Sequence, residues 1–171
     1  MTDQIIRYDY IDTPIGPLLL AMDDAGLTHV GLPHDKHPVA PGSGWTRDAR
    51  RLAVATQQFT AWFAGELRAF DLPLHASGTA FQQSVWQALC DIPYAATESY
   101  GALAKRIDKP RAVRAVGAAN GANPLAIIVP CHRVIGANGS LTGYGGGLPA
   151  KRWLLAHERR HAPAEALVLT A

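Results

Sequence analysis

Ser99-Tyr-Gly-Ala-Leu-Ala-Lys-Arg-Ile-Asp-Lys-Pro-Arg-Ala-Val-Arg-Ala-Val-Gly-Ala-Ala-Asn120 is the stretch on which the reading of the fold turns. Ser99 is a good N-cap, and Leu103, Ala104 and Ile107 recur at helical spacing, so a helix is predicted over Tyr100–Ile107. Asp108-Lys109-Pro110 breaks it, with Pro110 favourably placed at the start of a second helix, Arg111–Asn120. Two short helices joined by a tight turn outline a helix-turn-helix. In the second helix Arg111 and Arg114 are the only charges, and Ala112, Ala115, Gly117, Ala118 and Ala119 are all small. Small residues let a backbone approach another surface closely, and arginines can meet phosphate or enter a base stack. The same composition also suits a tightly packed core helix.

Upstream, Thr79–Asp91 reads as a helix capped by Thr79, with Phe81, Val85, Trp86 and Leu89 on its apolar face. Before Thr79 the texture differs. Ile5–Ile11, Gly16–Met22 and Leu27–Leu32 are strand-like and form a plausible meander. Pro33–Gly44 reads as loop, and Arg50–Glu66 as a helix. The predicted class is therefore α+β. Residues 1–78 form a three-stranded antiparallel sheet with a helix, and residues 79–171 a mostly helical unit. Charge divides at the same place: residues 1–78 carry a net −3 and residues 79–171 a net +5. A basic second half suits a polyanionic partner, or simply a solvated basic face.

Downstream, an apolar strand is predicted at Leu125–Val129, followed by Pro130-Cys131-His132-Arg133-Val134. A free thiol is mostly protonated at neutral pH, so a nucleophilic cysteine needs a base. His132 can supply one if a turn entered through Pro130 brings it to Cys131, because neighbours on a strand face opposite ways. A carboxylate would orient that histidine. Glu158, near the end of a helix predicted over Ala150–Arg160, sits where the helix dipole disfavours it, which suggests a specific partner. Gly136–Gly147 contains the turn signal Asn138-Gly139 and the run Tyr144-Gly-Gly-Gly147, whose backbone amides are open to a ligand.

With 171 residues, 48% of them hydrophobic, the chain has material for a packed core. Its apolar runs are too short to span a bilayer and Met1-Thr-Asp-Gln does not resemble a secretory signal, so a cytoplasmic protein is expected. Two cysteines permit a disulfide on count alone, but a chain of this size needs none. Cys90 ends an apolar helical run and is expected to be buried and inert. His34 and His37, without cysteine or carboxylate support, are expected to be solvated rather than metal ligands.

Taken together, Pro130-Cys131-His132-Arg133-Val134, Arg114-Ala-Val-Gly117, Asn123-Pro124 and Trp153-Leu-Leu-Ala-His157-Glu158 strongly resemble the methylated-DNA–protein-cysteine methyltransferases, in their stand-alone bacterial form. The match runs from about Thr79 to Glu158. The resemblance implies a ribonuclease H-like N-terminal unit and a winged-helix-like C-terminal one. It implies direct repair of duplex DNA containing O6-alkylguanine, with O4-alkylthymine as a further substrate. The nucleotide would be flipped out and its alkyl group moved irreversibly to Cys131. His132 would be the base through a water, Glu158 its partner, Tyr100 a donor to the guanine ring, and Asn123 a brace.

For DNA binding the resemblance implies minor-groove contact by Arg111, Arg114, Ala115, Ala118 and Ala119, with Arg114 filling the vacated stack. Pro130, Val134, Tyr144 and Gly145 would line the base pocket. No cofactor and no metal are implied. A monomer in solution is expected, with cooperative loading on DNA left open. Gly145 stands where some relatives have serine, and Ala95-Ala-Thr-Glu98 lacks a glycine common in relatives. From the residues alone, a cysteine hydrolase and a non-catalytic DNA-binding module remain alternatives. The hydrolase would leave the second helix unexplained, and a damage sensor would not need Cys131.

Overall fold

The structure, a computed structural model, describes residues 5–164. Strands β1 (Arg7–Ile11), β2 (Leu18–Met22) and β3 (Leu27–Gly31) form the expected antiparallel meander. Leu18, Leu19, Leu20 and Ala21 are all buried, so β2 is covered on both faces. A two-residue strand β4 (Thr46–Arg47) adds in parallel to β1, giving the order β3-β2-β1-β4. Its signal lies in side chains rather than in pattern. Trp45 packs near Tyr8 and His29, and Arg47 pairs with Asp9 at 2.7 Å. Helix α1 (Ala53–Phe63) follows, and Gly65, at φ 79°, provides the left-handed residue just past its end.

Thr79 caps α2 (Ala80–Cys90) in a full capping box with Gln82. Strand β5 (Glu98–Ser99) leads directly into α3 (Tyr100–Arg106), whose first turn Ser99 caps by accepting from Ala102 N–H. Helix α4 (Val113–Gly121) begins two residues later than predicted, leaving Arg111 in the exposed turn before it. The helix-turn-helix is therefore α3–α4, packed on α2. Trp86 of α2 donates its indole N–H to the Ala119 carbonyl at 2.8 Å.

The strand predicted at Leu125–Val129 does not form. The segment folds on itself, with Val129 N–H bonded to Leu125 O and Ile128 N–H to Ala126 O. Ile127 takes φ 73°, an unusual left-handed conformation for a β-branched residue. All five side chains are buried or half-buried, so the run is apolar because the turn is in the core. A single 3-10 turn, Cys131–Arg133, comes next, then β6 (Val134–Ile135), paired in parallel with β5. Helix α5 (Leu148–Arg160) closes the described chain.

Cys90 is exposed at the last residue of α2, not buried as expected, because the apolar face ends at Leu89. Both cysteines are free. One continuous apolar core joins Leu20, Phe59 and Trp62 to Leu103, Val116, Val134 and Leu154. No helix among the described residues is long and apolar enough to cross a membrane.

Candidate active site

The 3-10 turn entered through Pro130 replaces a strand in which neighbours would face opposite ways, and Cys131, His132 and Arg133 are all buried in it. His132 Nε2 lies 2.7 Å from Glu158 Oε1, with both side chains fully buried. The same carboxylate accepts from Arg133 Nε, at 3.1 and 3.0 Å to its two oxygens, from Arg133 Nη2 at 2.8 Å, and from Ala95 N–H at 3.1 Å. Arg133 Nη1 in turn donates to the Ile92 carbonyl at 2.7 Å. Burial alone would raise the Glu158 pKa, but hydrogen bonds and charge from His132 and Arg133 bring it down to about 2. Glu158 is thus an anion at neutral pH.

That charge assigns the histidine tautomer. A carboxylate only accepts hydrogen bonds, so His132 Nε2 must carry the hydrogen. Burial holds the ring below its ordinary 6.5, against the opposing pull of Glu158, so it is neutral at pH 7 and Nδ1 bears a lone pair. Nδ1 is buried and finds no hydrogen-bond partner among the described residues. Burial pushes the Cys131 thiol above its ordinary 9.0, with Asn123 and Lys151 working the other way. The resting thiol is protonated, and the unpartnered Nδ1 is a free proton acceptor on the next residue of the chain.

Cys131 lines a cavity of about 560 Å³. Tyr100, Asn123, Tyr144 and Gly145 line it together, as do Gly117 and Ala118 of α4. Tyr100 donates to the Thr142 carbonyl at 3.2 Å, and burial raises its hydroxyl pKa, so it remains a donor. Asn123 spans the buried turn, donating to Val129 O at 2.8 Å and accepting from Leu125 N–H at 2.9 Å. Pro130 and Val134 flank the 3-10 turn and are both buried, but their side chains are not part of this cavity's lining, unlike Tyr144 and Gly145.

On α4, Arg114, Ala115 and Ala118 share an exposed face. Ala119 does not: it is 3% exposed and faces α2, which corrects its placement with the outer face. Helical spacing sets Val116, Ala119 and Asn120 inward.

Four contributors went unassigned in the sequence. Arg133 is the cation that pairs with Glu158. Lys151 is fully buried and donates from Nζ to the carbonyls of Val134 (2.6 Å), Thr142 (3.2 Å) and Gly143 (3.4 Å), pinning the glycine-rich loop to α5. Asn120 donates to the Cys131 carbonyl at 3.4 Å. The loop Asp35–His37 from the N-terminal part also lines the cavity, and Lys36 N–H bonds to Gly145 O at 3.1 Å. Lys151 was visible in principle, since it shares a helical face with Leu154 and Glu158.

Residues 80–160 match the family model described as 6-O-methylguanine DNA methyltransferase, DNA binding domain. Residues 6–76 match that of its ribonuclease-like domain. The chain is 53% identical over 160 residues to a methylated-DNA–protein-cysteine methyltransferase of Mycolicibacterium paratuberculosis, covering 94% of this chain and 96% of that one. It is 51% identical over 148 residues to the protein of the same name from Methanosarcina acetivorans, covering 86% and 95%. The crystal structure of Mycobacterium tuberculosis OGT in complex with DNA superposes with a TM-score of 0.86 at 52% identity, covering 94% and 97%. With two family models spanning most of its length over the fold and the buried Cys-His-Glu site, the chain belongs to the 6-O-methylguanine DNA methyltransferases, the methylated-DNA–protein-cysteine methyltransferase family.

Proposed function

We propose that this protein repairs alkylated DNA directly, binding duplex DNA through the minor groove and flipping an O6-alkylguanine into the cavity. The alkyl group then passes irreversibly to Cys131, once per molecule. The activity is that of a methylated-DNA–[protein]-cysteine S-methyltransferase, with O4-alkylthymine as a further substrate. One observation carries the reading: the cavity lined by Cys131 is also lined by residues of α4, among them Ala118 of the exposed face that carries Arg114 and Ala115. A base extruded from DNA lying on that face has a short path to the thiol. Residues 79–171 act as the DNA-binding and alkyl-acceptor unit and residues 1–78 as its buttress.

In the proposed step the Cys131 proton passes through a water to His132 Nδ1, and Glu158 stabilises the imidazolium. The thiolate sulfur bonds to the alkyl carbon in line as the carbon–O6 bond breaks, and that electron pair goes to the guanine. Tyr100, released from Thr142, donates to the guanine ring nitrogen where charge develops. Carbonyls of Cys131 and Val134 accept from the guanine amino group through lone pairs left by Asn120 and Lys151. The Tyr144–Gly145 loop covers the base, Asn123 braces the turn below it, and Arg114 fills the stack. The thioether product has no route back to a thiol at this site, so each molecule reacts once.

Incubation with duplex DNA carrying O6-methylguanine, followed by peptide mass analysis, tests this. One methyl on the Cys131 peptide and a burst equal to the protein present are expected. Repeated turnover with Cys131 unmodified would overturn the proposal.

A further inference from the structure

We infer that Asp35 determines which alkyl groups the site accepts: its carboxylate is an anionic wall of the acceptor cavity that selects against lesions carrying a negatively charged alkyl group, of which carboxymethyl is a small example. The inference rests on the alkyl-transfer reading above. Asp35 follows β3 and lines the same cavity as Cys131, Ala126 and Tyr144. Its carboxylate is held in place, because Oδ1 accepts from His37 N–H at 3.0 Å while Lys36 N–H anchors the loop to Gly145 O at 3.1 Å.

Gly145 is what admits the carboxylate. A Cβ at that position would lie 2.9 Å from Asp35 Oδ2 and 3.1 Å from Oδ1, so any side chain there would displace it. The acid thus occupies the space that a residue-145 side chain would take in the loop over the base. Lys36 and His37 also border the cavity but are exposed, where solvent screens the Lys36 ammonium. Asp35 is half-buried, and its charge reaches the reacting centre: it adds to burial in raising the Cys131 thiol, while Lys151 opposes it. The nearby apolar lining of Val30, Leu32 and Ala126 suits a neutral alkyl group and offers an anion no counter-charge.

The chemistry is the same for every lesion. Sulfur bonds to the alkyl carbon, the carbon–O6 bond breaks with its electrons passing to guanine, and a carboxymethyl group keeps its own carboxylate throughout. Beyond the group's size and intrinsic reactivity, which the protein variants leave unchanged, the repulsion between that carboxylate and Asp35 sets it apart from methyl. Single-turnover rates should be compared on duplexes carrying O6-methylguanine and O6-carboxymethylguanine, for wild type, Asp35→Asn and Asp35→Ala. Asn keeps the acceptor for His37 N–H and removes only the charge. Both variants are expected to raise the carboxymethyl-to-methyl rate ratio about tenfold. An unchanged ratio, including an equal loss on both lesions, would overturn the inference while leaving methyl transfer to Cys131 intact. A wild type that transfers no methyl to Cys131 would overturn the underlying reading instead, and this inference with it.

Discussion

Two residues next to the site hold backbone conformations that their side chains resist. Ala95, at φ 66°, directs its N–H to Glu158 Oε2, and Ile127, at φ 73°, turns the chain before Pro130. A left-handed residue with a Cβ costs roughly 1–2 kcal/mol, whereas glycine adopts this region freely and loses roughly 0.5–1 kcal/mol in backbone entropy. Ala95→Gly is therefore expected to stabilise the protein by about 0.5–1 kcal/mol, measured by urea unfolding. A loss of stability would show that Ala95 is not strained. Ile127 is different, because its side chain is buried and glycine there would leave a cavity.

Among the elements, α4 has the most divided labour. Its inward residues Val116, Ala119 and Asn120 pack on α2 and steady the Cys131 carbonyl, and its outward face carries Arg114. Arg114 is exposed, so removing it should leave the core intact. Arg114→Ala is expected to slow repair of O6-methylguanine in duplex DNA by about tenfold or more, since flipping costs a few kcal/mol. Reaction with free O6-benzylguanine, which needs no flipping, should be nearly unaffected. Equal losses on the two substrates would count against a role in flipping. The α5 helix is divided in the same way: its N-terminal half uses Lys151 to fix the glycine-rich loop, and its C-terminal half presents Glu158.

At the scale of the whole molecule, Glu158 ties α5 to the 3-10 turn and to the segment between α2 and α3. Its folded pKa of about 2 lies below its ordinary 4.5, so its stabilisation is fully present above pH 4.5 and is lost as pH falls toward 2. His132 is held below 6.5, so the unfolded chain takes up that proton first and stability begins to fall below about pH 6.5. Urea unfolding across pH is expected to show a gentle decline below 6.5 and a steeper one below 4.5, on the order of 3 kcal/mol in total for Glu158. In Glu158→Gln the steep component should vanish. Removing one partner of a buried ion pair should also cost about 3–5 kcal/mol at neutral pH. An acid limb of the same slope in both proteins would show that Glu158 is not the titrating group. The N-terminal part joins this framework directly, since Val30 N–H bonds to Pro124 O at 2.8 Å and His157 Nε2 lies 2.8 Å from the Trp62 carbonyl.

Local signals in the chain specified the helices and the meander, because capping residues, breakers and apolar periodicity act over a few residues. Thr79 and Ser99 cap where their side chains predict, and Gly65 follows the end of α1. The same local reading marked Cys131, His132 and Glu158 as a set, and the fold brings His132 and Glu158 into contact. Tertiary structure alone decided the rest. An apolar pentapeptide reads equally as a strand or as a buried turn, and only its surroundings in the core made Leu125–Val129 the latter. Arg133, Lys151 and Asn120 gained their places because buried carboxylate and carbonyl groups needed donors, a requirement that exists only once distant segments meet. Asp35 lies in a surface loop by sequence, and it reaches the cavity of Cys131 only because the sheet edge at Val30 packs against the buried turn at Leu125.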